Sequence, residues 1–197
     1  MHSTVNPITP PEGTIVRYRL DATASRFRAQ AYATGLLAAF GHNPIIAIRK
    51  FSGDAIFDPG SLEHSSLQLT INTDSFEVEN DMSPKDRSEI LQTIHDDVLD
   101  VDSYPEIHYE SRSVRGRLVS DSRYWIVLNG ALSLHGVTRP VDITTSLVVN
   151  GESCRASGEF FIRQSDYKIK PPSAVGGGLK VKDEIKCSFD IVAHKTD

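Results

Sequence analysis

The sequence predicts an all-β fold, an antiparallel sandwich or barrel, and three observations carry that reading. Apolar and polar residues alternate with a period of two in segments that recur almost from end to end. Turn residues separate those segments. One tight hairpin, from Ala131 to Ile143, can be read residue by residue.

In that hairpin Leu132 and Leu134 alternate with Ser133 and His135, as a half-buried strand requires. Gly136 is free to take positive φ, and Pro140 bars Arg139 from helical geometry. Val141, Ile143, Thr145, Leu147 and Val149 then resume the alternation. Earlier segments are Val16-Tyr18-Leu20, Phe27-Ala29-Ala31-Ala33, Phe51 to Phe57 closed by Asp58-Pro59-Gly60, and Leu67-Leu69-Ile71-Thr73. Ile107-Tyr109-Ser111, Ile126-Leu128-Gly130, Gly158-Phe160-Ile162 and Ile185 to Ala193 complete the set. A single helix is signalled over 84–98. Ser83 is a good N-cap, Pro84 suits the first helical position, and Asp86 favours the positive end. Ile90, Leu91, Ile94 and Val98 form one apolar stripe, so the helix is expected to cover one end of the sheet structure.

The bulk properties bound the function. A chain of 197 residues, 39% hydrophobic, builds one domain with a sizeable core, expected over 14–195 behind a flexible arm of residues 1–13. The net charge of −5 and the lack of a basic cluster argue against nucleic acid. Cys154 and Cys187 do not make a disulfide framework. The opening residues lack the basic start and apolar stretch of a secretory signal, so a cytoplasmic protein is expected unless the sequence was trimmed. Ala29 to Ile48 contains no Asp, Glu, Lys or Arg, but Gly35, Gly41, His42, Asn43 and Pro44 disqualify it as a transmembrane segment.

Candidate chemistry is sparse. The seven histidines are scattered without the spacing of a zinc motif, so no metal and no cofactor is expected. No nucleophile motif occurs, and Gly176-Gly177-Gly178 lacks the Lys-Ser/Thr of a phosphate loop. Gly35 to Phe40 is unusually apolar for a connection, and reads either as a cap on the core or as the lip of a pocket. Phe40-Gly41-His42-Asn43-Pro44 places a polar cluster in that apolar run, equally readable as a turn.

Two longer strings carry a family resemblance. Leu132-Ser-Leu-His-Gly-Val-Thr-Arg-Pro-Val141 resembles the hairpin signature of the YceI-like family of polyisoprenoid-binding, lipocalin-like proteins. Val98-Leu-Asp-Val-Asp-Ser-Tyr-Pro-Glu-Ile-His-Tyr109 resembles the same family's helix-end motif. Tyr18 to Asp21 with Ser25 to Phe27, Phe51 to Gly53 with Phe57 to Pro59, Ile162 to Tyr167, and Val181 to Ile185 match in order, so the likeness runs from about Val16 to Ala193. It departs at Gly35 to Ile48, where the family's connection is more polar.

The resemblance implies an extended antiparallel lipocalin-like β-barrel of about eight strands around an apolar tunnel, commonly a homodimer. It also implies a non-enzymatic carrier of an isoprenoid or similar long-chain amphipathic lipid. On that reading Leu69, Ile71, Leu128, Leu132, Leu134, Phe189 and Ile191 line the tunnel, Leu36, Leu37 and Phe40 form its lip, and His42 and Asn43 touch the head group. Two competing expectations are an isomerase- or cyclase-type enzyme using His42 or His135, and a filled barrel that serves as an interaction module.

Overall fold

Strand periodicity this persistent can close into a ring, and it does so in the computed structural model, which describes residues 14–34, 43–174 and 179–196. The long strands are β1 (Val16–Gln30), β4 (Phe51–Phe57), β5 (Ser66–Asn72), β7 (Glu106–Ser120), β8 (Arg123–Leu134), β9 (Val137–Asn150), β10 (Ser153–Arg163) and β13 (Glu184–Thr196). Each pairs antiparallel with its neighbours in the order β1-β13-β10-β9-β8-β7-β5-β4, and β4 returns to β1. The result is a closed eight-stranded antiparallel barrel. Short strands decorate one end. β3 (Ile45–Ile48) extends from the last residues of β1 and carries β6 (Phe76–Val78). β2 (Ala33–Thr34), β12 (Leu179–Val181) and β11 (Ser173–Ala174) make a separate three-stranded sheet.

The hairpin at the β8–β9 turn owes its tightness to two residues with positive φ, His135 at 50° and Gly136 at 70°. Two such residues in succession give the twist that matches the flanking strands. Gly136 is required there for a second reason: a Cβ would lie 2.7 Å from the Tyr104 ring. The His135 ring lies tilted against Tyr104, with ring centroids 4.5 Å apart.

Burial along β8 alternates residue by residue, with Tyr124, Ile126, Leu128, Leu132 and Leu134 inside. The same parity on β9 turns Ile143, Thr145 and Leu147 inward.

The helical segment spans the expected 84–98 but is not uniform. α1 (Pro84–Thr93) is followed by a π-helical turn, Ile94–Val98. The cap is as read from sequence: the Asp86 N–H donates to Ser83 Oγ at 3.1 Å. The expected stripe is only half-buried, and α1 packs against the short strand β6. Ile94 and Val98 pack on the core, and the buried Leu99 and Val101 just beyond them close that end of the barrel.

Candidate functional site

Parity delivers a continuous apolar surface to the inside of the barrel, and that surface lines a cavity of about 140 Å³. One water needs roughly 10–15 Å³ of such space, so the cavity is far larger than a packing defect. Of the residues expected to line a tunnel, Leu69, Ile71, Leu128, Leu132, Phe189 and Ile191 face this space. Leu134 has the right parity but the wrong depth: it is buried beyond the cavity, toward the end closed by Leu99 and Val101.

Asn43 is exposed and lies off the cavity. Its Oδ1 accepts the Ala33 N–H at 2.8 Å, which is a turn-forming role. Leu36, Leu37, Phe40 and His42 lie outside the described residues, as do residues 1–13 and the triple glycine.

Aromatic residues bound the cavity along the barrel axis. Near the start of β1, Tyr18 is almost wholly buried and its hydroxyl donates to the Gly151 carbonyl at 3.1 Å. Phe57 and Tyr124 meet edge to face beside it, with centroids 5.0 Å apart. Toward the helix end, Phe27 touches Phe51 at 6.1 Å and Phe189 at 6.4 Å in similar geometry.

The lining contains no Asp, Glu, Lys, Arg or His among the described residues. Its titratable groups are Tyr18, Tyr109 and Cys154, and burial is the main cause that pushes each upward. The Cys154 thiol is pushed up to about 11. The Tyr109 hydroxyl lies within hydrogen-bond distance of two carbonyls, Leu128 at 3.1 Å and Val141 at 3.2 Å, and so ties β8 to β9 from inside. Thr145 differs from these. It is 1% exposed, lines the cavity, and its Oγ1 has no hydrogen-bond partner.

The barrel wall parts between β9 and β10. Rungs between β9 and β10 run from Asn150–Ser153 to Thr145–Gly158 and stop. Beyond Gly158, β10 continues along β13 as far as Arg163, and β9 continues along β8 as far as Val137. A groove of about 500 Å³ occupies the space between the parted strands. The short turn Gln164–Tyr167 crosses its far end, where Arg139 Nε donates to the Asp166 carbonyl at 3.0 Å. Phe160 lines both the groove and the inner cavity. Pro140 sits in the one-sided part of β9, where a missing N–H costs no rung on that side.

The family model described as the YceI-like domain matches residues 18–193. A UPF0312 protein of Shewanella denitrificans is 32% identical over 103 residues, which is 52% of this chain and 49% of that protein. The chain thus aligns with about half the length of that curated relative. Among solved structures, BcnA of Burkholderia cenocepacia superposes with a TM-score of 0.67 at 20% identity, over 88% of this chain and 98% of that one. A polyisoprenoid binding domain from Saccharophagus degradans, implicated in plant cell wall breakdown, gives 0.63 at 13% identity, over 92% and 99%. A YceI protein of Campylobacter jejuni gives 0.57 at 20% identity, over 77% and 85%. At these identities the structural likeness establishes the fold.

Proposed function

The chain belongs to the YceI-like domain family, and on that premise we propose that it is a non-enzymatic carrier of an isoprenoid or similar long-chain lipid held inside the barrel. The observation that carries the proposal is the cavity of about 140 Å³ inside the barrel, lined by uncharged, overwhelmingly apolar residues. An empty apolar space forfeits dispersion contacts on all its walls, and a hydrocarbon chain restores them. The polyisoprenoid-binding description of the Saccharophagus domain, a neighbour in fold, points the same way.

The energetics are sufficient without a charged anchor. Burial gains about 0.8 kcal/mol per CH₂, so one five-carbon isoprene unit gains roughly 3–4 kcal/mol. Association costs of order 4–15 kcal/mol absorb the first units. A chain of several units then reaches micromolar affinity, about −8 kcal/mol. Affinity should therefore track tail length.

The described lining, uncharged and overwhelmingly apolar, is the surface a hydrocarbon chain needs. Native mass spectrometry of freshly purified protein, followed by organic extraction, tests the proposal. The expected result is a released lipid, and a loss of affinity as prenols are shortened. Affinity that ignores tail length but collapses on changing the head group would overturn it.

A further inference from the structure

We infer that the polar group of the ligand is a neutral oxygen function held inside the barrel against the Thr145 hydroxyl, an inference that rests on the lipid-carrier reading. Thr145 is buried on the inward face of β9 between Ile143 and Leu147. Its Oγ1 is an unpartnered polar atom in a lining where the Tyr18 and Tyr109 hydroxyls are already engaged with backbone carbonyls. An unmet buried hydroxyl is costly, and a ligand oxygen within reach removes that cost while gaining a hydrogen bond.

Its position fits a ligand that is polar at one end. Thr145 pairs with Gly158, the last rung before β9 and β10 part. The unpaired hydroxyl therefore lies beside the place where the two strands part, with Phe189 across Gly158 on the same row of rungs. A ligand oxygen at Thr145 leaves the hydrocarbon to run along the apolar lining of Leu128, Leu132, Phe189 and Ile191.

The charge of the surroundings selects the class of head group. No charged side chain among the described residues faces the cavity, so a phosphate or carboxylate would be buried without a counter-ion. The outer groove offers no refuge, since Arg139 and Arg163 stand among four carboxylates, Asp142, Glu159, Asp166 and Glu184. An alcohol, ketone, quinone, ester or amide meets the site; a prenyl phosphate does not. The Thr hydroxyl can donate to a carbonyl or exchange a hydrogen bond with a hydroxyl.

The test is displacement of N-phenylnaphthylamine from delipidated full-length protein by farnesol, farnesane and farnesyl phosphate. It is run on the wild type and on Thr145→Val and Thr145→Ser. Thr145→Val keeps the shape and removes the hydroxyl. It is expected to weaken farnesol roughly five- to tenfold while leaving farnesane unchanged or tighter. Thr145→Ser restores the wild-type ratio of the two, which a purely packing role would not do. Farnesyl phosphate is expected to bind wild type at least about tenfold more weakly than farnesol. A farnesol-to-farnesane ratio that does not move in Thr145→Val, or a phosphate that binds tightest, overturns the inference and leaves the carrier reading standing. If wild type binds neither farnesol nor farnesane, the carrier reading itself falls and takes the inference with it.

Discussion

Thr144 and Thr145 are joined by one peptide bond and occupy different environments. Thr144 points to the outer groove between the parted strands, among Arg139, Asp142 and Glu159. Thr145 points to the inner cavity, among Ile143, Leu147 and Ala156. The pleat alone makes the separation, since successive side chains leave opposite faces. The difference teaches where this barrel can be selective. Among the described residues its interior gives an uncharged hydrocarbon environment with an unmet hydroxyl at Thr145, and its exterior gives a charged slot between the parted β9 and β10. Phe160 is the residue that faces both.

The largest expected effect comes from the rung at which the two regions begin to diverge. A Cβ on Gly158 would lie 2.5 Å from the Thr144 carbonyl and 2.8 Å from the Phe189 ring. Gly158→Val is therefore expected to cost about 3 kcal/mol, at the upper end of overpacking, because one of the obstructing groups is backbone. Gly151, where a Cβ meets nothing within 4 Å and φ is 58°, is the control. Gly151→Asn should stay within about 0.5 kcal/mol. Equal thermal shifts for the two variants would show that the close approach at Gly158 plays no part in holding β9 and β10 together.

Truncating the shared wall gives the next effect. Phe160→Ala should cost about 2 kcal/mol, below the usual figure for a fully buried ring because Phe160 is half-buried. It should also open the cavity to the groove. Cys154 lines the cavity, and its thiol is held protonated by burial. Alkylation of Cys154, followed by peptide mass spectrometry, should be slow in wild type and faster in Phe160→Ala. An unchanged rate would mean that Phe160 is no barrier between the two spaces.

Tyr109→Phe is smaller again, about 1 kcal/mol by denaturant titration, because it removes one buried hydroxyl that bonds across to β8 and β9. A cost near zero would show that the inner tie does not support the one-sided part of β9.

How much of this the sequence displayed depended on which geometric quantity was asked for. Face was legible. Leu69, Ile71, Leu128, Leu132, Phe189 and Ile191 follow from period two, and so does the inward place of Thr145, which stands in the alternation from Val141 to Val149. Nothing marked Thr145 as special, however, because threonine is also an ordinary strand residue. The available signal was its place between Ile143 and Leu147 on an otherwise apolar face.

Depth was not legible. Leu134 shares the parity of Leu132 but lies past the cavity, since alternation says nothing of level along the barrel axis. The parting of β9 and β10 was hidden too, because it belongs to pairing between strands and not to either strand's pattern. Pro140 was its one trace, a residue that cannot donate a rung and so belongs on an unpaired edge. The helix boundaries were legible from Ser83 and Pro84, but the switch to a π-helical turn at Ile94 was not.

The contrast between an uncharged interior and a charged exterior also predicts a null effect, which separates this site from one built on histidine. Tyr18, Tyr109 and Cys154 titrate above their ordinary values because burial disfavours their charged forms, so each stays neutral as pH rises to about 9. None gains a charge on acidification, because their protonated forms are the neutral ones. The affinity for a neutral prenol should therefore be flat from about pH 5 to about pH 9, measured by the same displacement assay at constant ionic strength. A histidine contact such as His42 would instead bend the curve near pH 6–7. Such a bend, absent in His42→Ala, would move the polar end of the ligand away from Thr145 and out of the barrel interior. A flat curve that stays flat in His42→Ala would keep it inside.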